Sequence, residues 1–183
     1  MIIREARPGD AEAIALVQVA AWQAAYRGIV PDEHLDRLDW RERAAVRRGQ
    51  LERAGDDGVR VHVNLSAGTV VGFVATGPDR DEDPRAARGQ EVYALYVAPS
   101  AWGHGLGRAL LERAIADVPV GVPVTLWVLA GNARARAFYE RVGFVSDGAE
   151  KLVPIGGRDL AEVRYRLERL DDPSPQVAEP SDR

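Results

Sequence analysis

The sequence predicts an α/β (α+β) fold, in which helices flank a mixed central sheet of about six to seven strands. Three observations predict it: short β-branched or apolar runs recur, segments with helical apolar spacing separate several of them, and glycine or proline marks most boundaries. The 183 residues are 46% hydrophobic and 28% charged, which is typical of a globular protein. We expect one domain over residues 1–170 and a disordered tail over residues 171–183, which are rich in proline, serine and acidic residues.

The beginning of the chain predicts one strand and one long helix. Ile2–Glu5 has the length and composition of a short strand. Ala11–Tyr26 places apolar residues at helical spacing, and Asp10 stands where an N-cap side chain would accept a hydrogen bond from the first turn. Gly28 and Pro31 then interrupt the helix.

A second helical region and a hairpin follow. The helical region runs through Leu35–Leu38 and Trp40–Arg53 and ends at Gly55. Val59–Leu65 and Thr69–Thr76 are rich in β-branched residues and are separated by a short turn, so we expect them to pair as antiparallel strands.

The middle of the chain predicts two strands on either side of a helix. Gly77–Gln90 is polar and charged and contains proline and glycine, which indicates a surface loop. Glu91–Val97 is a predicted strand, Gly105–Asp117 a predicted helix, and Val122–Leu129 is apolar enough to be a strand buried on both faces.

The last predicted elements are a short helix and a closing hairpin. Arg134–Arg141 is the helix, with Asn132 as its N-cap and Gly143 as a left-handed C-terminal cap. Phe144–Val153 and Leu160–Leu167 are expected to pair through a turn that contains two glycines.

The segment between the fourth predicted strand and the next helix is rich in glycine. Its core is Gly103-His-Gly105-Leu-Gly107, directly before a helix. Such a turn presents backbone N–H groups at a helix N-terminus, and the absence of a Cβ at the three glycines lets an anion approach them closely. The segment therefore predicts a site for a phosphate or pyrophosphate.

Two common phosphate motifs do not match this segment. The dinucleotide fingerprint requires a sixth-position glycine where this chain has Arg108, and no Gly-Lys-Ser/Thr follows as in nucleoside triphosphatases. The remaining pattern resembles the acyl-CoA loop of the Gcn5-related N-acetyltransferase (GNAT) superfamily. That loop usually opens with Arg or Gln, whereas this chain has Trp102, so one side-chain donor is missing and the backbone amides remain.

A second segment resembles another signature of the same superfamily. Asn132 precedes a short helix that carries Phe138-Tyr139 and is closed by Gly143-Phe144. The two signatures occur in the family's order with a strand between them, and the resemblance covers Ile2 to Leu167. It implies the acyl-CoA N-acyltransferase fold, whose sheet is mostly antiparallel.

The resemblance also implies how acetyl-CoA binds, as a co-substrate. In the family, the strand before the loop carries a bulge and separates from its neighbour, and the pantetheine arm occupies the gap. Main chain at Leu95 and Val97 would bind the pantetheine amides, and the amides of Gly103 to Arg108 would bind the pyrophosphate. The expected cofactor-binding residues are Leu95, Tyr96, Val97, Trp102, Gly103, His104, Gly105, Leu106, Gly107, Arg108, Asn132 and Phe138.

The implied reaction is attack of a neutral amine on a thioester, which expels a CoA thiolate. Tyr139 resembles the family tyrosine that supplies a proton to the sulfur. Because reference pKa values are about 10 for tyrosine and 8.5 for a thiol, complete transfer is uphill by about 2 kcal/mol in water. We therefore expect Tyr139 mainly to donate a hydrogen bond; the alternative is that it packs in its helix with a solvated hydroxyl.

The amine must lose a proton before it attacks. Many relatives place a carboxylate where this chain has Glu91, so Glu91 is a candidate base, acting directly or through water; the alternative is a solvent-facing glutamate at a strand edge. Trp22 and Tyr26 lie one helical turn apart, in a Trp-x-x-x-Tyr-x-Gly pattern that resembles the family's acceptor-side segment. The alternative for Trp22 is core packing.

Composition excludes several other classes. The chain has 24 basic and 28 acidic side chains and a net charge of −4, which does not indicate a nucleic-acid or membrane partner. It contains no cysteine, so disulfides, thiolate metal sites and an acyl-cysteine route are impossible. The isolated histidines His34, His62 and His104 lack metal-ligand spacing, and no metal is expected. Without a recognisable signal peptide or membrane-spanning run, the expected location is cytoplasmic.

The sequence thus predicts an acetyl-CoA-dependent N-acetyltransferase that acts on a primary amine of a small molecule in a ternary complex. The alternatives are a protein N-terminal or lysine acetyltransferase, a catalytically silent acyl-CoA-binding sensor, and a nucleotide-binding module. The identity of the acceptor and the acyl-chain selectivity stay open. The sequence does not give the oligomeric state; a homodimer is expected only because homodimers are common in the family.

Overall fold

A computed structural model describes residues 1–53, 58–81 and 89–168 of the chain. The predicted tail and the helix end at Gly55 lie outside these residues. The described elements follow in chain order as β1 (Ile2–Glu5), α1 (Ala11–Ala25), α2 (Asp32–Asp36), α3 (Trp40–Glu52), β2 (Arg60–Ser66), β3 (Thr69–Pro78), β4 (Gln90–Val97), α4 (Leu106–Ile115), β5 (Val124–Leu129), α5 (Ala133–Arg141), β6 (Val145–Ile155) and β7 (Arg158–Leu167).

The strands form one mixed sheet in the order β1-β2-β3-β4-β5-β7-β6. Only β4 and β5 are parallel among the described neighbours; the other pairs are antiparallel. The crossover from β4 to β5 includes α4, as a parallel connection requires. A mixed, mostly antiparallel sheet flanked by helices confirms the predicted fold class.

Strands β4 and β5 pair only at their beginnings. The paired residues are Gln90 with Val124, Glu91 with Thr125 and Val92 with Leu126. On the other side of β4, the register with β3 shifts so that Tyr93 is an extra residue between Val92 and Ala94. This bulge and the early end of the pairing leave a gap between the two parallel strands.

Apolar side chains pack on both faces of the sheet. On one face, Leu110 and Leu111 of α4 are buried against β-strand residues such as Leu126. On the other face, Ile14 of α1 packs with Phe73 of β3 and their neighbours. Full burial of each such side chain contributes about 1.5–3 kcal/mol, so these two layers hold the strands in place while the gap stays open.

Two predictions about local structure are wrong. Asp10 precedes α1, but its carboxylate does not cap that helix; it accepts hydrogen bonds from Arg4 (2.7 Å) and from the Arg7 N–H (2.7 Å). The predicted loop over Gly77–Gln90 is too long, because β3 continues to Pro78 and β4 already begins at Gln90.

Packing at the bulge explains why β3 has a glycine at position 77. A Cβ at Gly77 would lie 2.6 Å from the hydroxyl of Tyr93, so the Tyr93 ring would have to shift to admit any other residue there.

Among the described helices, none combines the length and the apolar character needed to cross a bilayer.

Candidate active site

A cavity of about 1320 Å³ runs through the gap between β4 and β5. One end, which we name the loop end, is lined by the turn from Trp102 to Arg108, apart from His104, and by Asn132 and Phe138 of the α5 region. The other, which we name the aromatic end, is lined by Trp22, Tyr26, Arg47, Tyr96 and Glu162. Tyr139 also lines the cavity.

Unpaired backbone donors lie at the loop end. The first backbone hydrogen bond of α4 runs from the Ala109 N–H to the Gly105 carbonyl (3.0 Å), so the N–H groups of Leu106, Gly107 and Arg108 have no partner within the helix. Both Gly103 (φ 80°) and Gly105 (φ 76°) are left-handed, and a Cβ on either would point into empty space. The turn is therefore an open cradle that suits an anion.

The third glycine of the turn, Gly107, faces other side chains rather than the open cradle. A Cβ at Gly107 would contact the ring of Phe138 at 3.6 Å and the side chain of Val97 at 3.8 Å, so it would face α5 and β4. The expectation that a side chain there would stand between donor and anion is wrong. His104 is exposed and is absent from the described lining of the cavity.

Trp102 ties the turn to the end of β4. Its indole Nε1 donates a hydrogen bond of 2.8 Å to the Val97 carbonyl, one of the groups expected to meet pantetheine. The guanidinium of Arg134 lies over the indole, with Cζ 3.4 Å from the ring centroid. The residue that departs from the usual loop pattern thus holds a cation beside the turn.

Arg134 is a candidate binding residue that the motif did not single out. It lies in the first turn of α5 and lines the cavity. Among the described residues it has no carboxylate within ion-pair distance, and desolvation lowers its pKa. In the sequence, this role could have been inferred from the position of Arg134, two residues after Asn132 of the second signature.

Asn132 sets the position of α5. Its side-chain oxygen accepts a hydrogen bond from the Ala135 N–H (3.1 Å), which confirms the predicted N-cap. Gly143 adopts the predicted left-handed conformation at the other end of the helix (φ 95°). These two caps fix the helix that brings Phe138 and Tyr139 to the cavity.

Tyr139 is held by two aromatic neighbours. Its ring centroid lies 5.1 Å from that of Phe138 and 5.8 Å from that of Phe144. Burial raises the pKa of Tyr139, so its hydroxyl stays protonated and can donate a hydrogen bond at neutral pH. Complete proton transfer from this hydroxyl is correspondingly more costly than in water.

Glu91 is buried rather than solvent-facing. Only 4% of it is exposed, so the alternative of a glutamate at a solvated edge is wrong. Its carboxylate accepts hydrogen bonds from the N–H (3.2 Å), Nε (3.0 Å) and Nη2 (2.6 Å) of Arg80. Arg80 lines the cavity, whereas Glu91 is not among the described lining residues, so any exchange with a bound amine would have to be indirect.

The aromatic end contains the two predicted acceptor-side residues. The rings of Trp22 and Tyr26 meet edge to face at 5.0 Å, and both also pack beside the buried Leu35 and Leu129. Burial raises the pKa of Tyr26 and of Tyr96. The indole N–H of Trp22 lies near the Tyr96 hydroxyl but makes no hydrogen bond of normal geometry.

Glu162 of β7 is the titratable residue that sequence patterns did not reveal. Its carboxylate lies 3.6 Å from the Lys151 ammonium of β6, and its side chain is 20% exposed. Burial raises the pKa of Glu162, and Lys151 partly opposes this shift. In the sequence Glu162 stands between an alanine and a valine of a predicted strand, and nothing there distinguishes it from a solvated residue.

Comparisons with known proteins agree with this geometry. The profile described as "Acetyltransferase (GNAT) family" matches residues 17–144. The probable N-acetyltransferase Rv2775 of Mycobacterium tuberculosis is 31% identical over 176 residues, which are 93% of this chain and 95% of the relative. A mycothiol acetyltransferase of Beutenbergia cavernae is 54% identical over 63 residues, but these cover only 33% of this chain and 21% of that protein.

Solved structures share the fold. The PaiA N-acetyltransferase of Thermoplasma acidophilum, solved in complex with coenzyme A, superposes with a TM-score of 0.66 at 21% identity. The match covers 91% of this chain and 98% of that one.

Proposed function

The chain belongs to the GNAT acetyltransferase family, and from this premise we propose that it transfers the acetyl group of acetyl-CoA to the primary amine of a small molecule by direct attack in a ternary complex. The main support is the gap between β4 and β5, which joins an anion cradle at one end to a titratable pocket at the other. One cavity thus has room for two substrates, as direct transfer requires.

The residues of this chain fit acetyl-CoA. The N–H groups of Leu106, Gly107 and Arg108, with the open turn at Gly103 and Gly105, would hold the diphosphate. Arg134 would add the side-chain charge that Trp102 cannot supply. Beyond the bulge, β4 has no pairing with β5, so its main chain from Leu95 onward is open to the pantetheine amides, although the Val97 carbonyl already accepts a hydrogen bond from Trp102.

Tyr139 would act on the leaving group. The amine nitrogen forms a bond to the thioester carbon, the carbon–sulfur bond breaks, and the Tyr139 hydroxyl donates a hydrogen bond to the departing sulfur. An acceptor that enters as an ammonium ion gives up two protons overall. One ends on the CoA sulfur and the other reaches solvent.

Glu91 stays a proposal for the acceptor of the amine proton. Its ion pair with Arg80 means that it would act through water or through a movement of that arginine. An amine with a reference pKa near 10.4 is mostly protonated at neutral pH, so some group must accept this proton.

Thiol release from acetyl-CoA, measured against a panel of small amines and short peptides, tests the proposal. We expect release that depends on a small primary amine. Release with peptides alone would favour a protein acetyltransferase. Binding of acetyl-CoA without turnover of any amine would favour a silent sensor, although a pure sensor would have no need for Tyr139.

A further inference from the structure

Two opposite charges at the aromatic end have no role in the steps above. Glu162 and Arg47 both line the cavity, on β7 and α3 respectively. Tyr96 is close enough to interact electrostatically with each of them. Both charged side chains therefore face the cavity in which an acceptor would bind.

Glu162 is the more available of the carboxylates that line the cavity. The other, Asp79, accepts hydrogen bonds from the Thr125 hydroxyl (2.6 Å) and the Asp81 N–H (2.8 Å). Glu162 has a single described ion pair, with the half-exposed Lys151. Such a carboxylate can receive an ammonium ion as a charge-assisted hydrogen-bond partner.

Arg47 is a cation with no anionic partner among the described residues. Its two terminal nitrogens donate to the neutral side chains of Gln50 (3.0 Å) and Gln18 (3.3 Å), and its guanidinium lies over the ring of Phe73. Within the described parts of the chain, no carboxylate lies within ion-pair distance of it. The guanidinium fork is suited to a carboxylate or a phosphate.

Aromatic surface lies around these two charges. Trp22, Tyr26 and Tyr96 line the same end of the cavity, and the Trp22 indole N–H is a buried donor that makes no hydrogen bond of normal geometry with any described residue. An apolar or weakly polar carbon skeleton could pack on these rings, since their faces and edges offer large apolar area.

We propose that the acceptor is a small amphoteric amine, whose ammonium group binds Glu162 and whose anionic group binds Arg47. This proposal rests on the proposed N-acetyltransferase function. In this proposal Glu162, in place of Glu91, takes one proton from the ammonium ion, and the neutral amine then attacks the thioester carbon. After acetyl transfer, Glu162 releases that proton to solvent. The second amine proton ends on the CoA sulfur and completes the thiol.

A matched acceptor panel tests the charge requirement. We would measure thiol release from acetyl-CoA with an alkylamine, a diamine, an amino carboxylate and an aminoalkyl phosphate of similar chain length. We expect kcat/KM at least about tenfold higher for one or both anionic acceptors, which corresponds to a single good ionic contact. The carboxylate and phosphate arms identify the anion, and equal or better rates with the alkylamine or diamine would overturn the proposal.

Substitutions assign the charges to residues. Arg47→Gln is expected to lower kcat/KM for the preferred acceptor about tenfold and to lower it less for the alkylamine, because the contact with the anionic group is lost. Arg48→Gln removes the same charge from the next, exposed position of α3 and serves as the control. Equal rates for Arg47→Gln and Arg48→Gln on the preferred acceptor would contradict the role of Arg47.

Glu162→Gln, compared with the exposed Glu150→Gln, tests the other pole. We expect Glu162→Gln alone to lower kcat/KM for every amine at least tenfold, since all of them must lose a proton. Melting temperatures of all variants separate unfolding from lost contacts. If wild type releases thiol with amines but these variants behave like their controls, only the amphoteric site fails; if no amine is acetylated, the proposed function itself fails.

Discussion

The hydroxyl of Tyr139 is the atom on which the proposed chemistry most depends. Removing it in Tyr139→Phe should lower kcat by about 100- to 1000-fold, as expected for loss of one donor to a developing anion. The KM for acetyl-CoA should change little, because the ring and its contacts with Phe138 and Phe144 remain. Steady-state thiol release gives both constants.

Tyr165→Phe is the control for that substitution. The buried Tyr165 hydroxyl donates to Glu140 (2.7 Å) and accepts from Arg136 (3.2 Å), away from the cavity. Its loss should lower the melting temperature and spare kcat. If Tyr139→Phe also turned over at the wild-type rate, the assignment of the hydrogen-bond donor would be wrong.

The acidic side of the pH–rate profile distinguishes the two glutamates. Because burial raises the pKa of Glu162, protonation at weakly acidic pH should remove the base, and kcat/KM should fall as the pH drops through that raised pKa. The charged groups that act on Glu162 are Lys151, Arg80 and Glu91, and Tyr26 and Tyr96 lie near it. Glu162→Gln should therefore lose this limb.

Glu91→Gln is the informative comparison. Its ion pair with Arg80 should make the substitution lower the melting temperature, since a buried hydrogen-bonded carboxylate is lost. The acidic limb should be unaltered. A limb that vanished in Glu91→Gln and persisted in Glu162→Gln would restore Glu91 as the base and remove Glu162 from the proton step.

At the scale of elements, the glycine turn and helix α4 offer a matched pair of substitutions. Gly105→Ala places a Cβ on a left-handed residue, which costs about 1–2 kcal/mol and lowers the melting temperature by about 2–4 °C for each kcal/mol. The same Cβ would fill part of the anion cradle, so the KM for acetyl-CoA should also rise. Gly107→Ala should be tolerated by the fold, because Gly107 lies in α4 and its Cβ would make ordinary contacts with Phe138 and Val97. Equal melting temperatures for the two variants would contradict this account of the turn.

Helix α5 contributes a cation to the same end of the cavity. Arg134→Ala should raise the KM for acetyl-CoA about fivefold to tenfold and leave kcat unchanged, because a phosphate contact is lost while Tyr139 stays in place. The KM of the wild type should rise with salt more steeply than that of the variant, because the variant has one fewer charged contact with phosphate for salt to screen. Arg158→Ala, at the exposed start of β7, is the control. Identical salt dependence in wild type and Arg134→Ala would rule out a phosphate contact.

At the scale of the whole molecule, periodicity and caps in the sequence predicted most elements, because these signals are local. Asn132 and Gly143 bound a helix whose caps are encoded within a few residues. The continuation of β3 through Gly77 was not predicted. The glycine there is explained by its contact with the Tyr93 ring of the neighbouring strand, which no local pattern shows. Glu162 and Arg47 were missed for the same kind of cause: only tertiary packing brings β7 and α3 to one cavity, and no local sequence pattern records that.

The narrow junction between β4 and β5 leads to a prediction about the complete fold. The two sides of the sheet are joined there by three residue pairs, beyond which the gap begins. Acetyl-CoA bound in this gap would contact both sides and stabilise the native state by about 2.7 kcal/mol at a hundredfold excess over Kd. Hydrogen exchange should then show new protection in β4 from Tyr93 to Val97 and at the start of α4, with little change in β1 and β2.

Adenosine diphosphate, which lacks the pantetheine arm, should protect the start of α4 alone. Protection of β1 and β2 equal to that of β4, or none in β4, would mean that the gap is not where the thioester substrate lies.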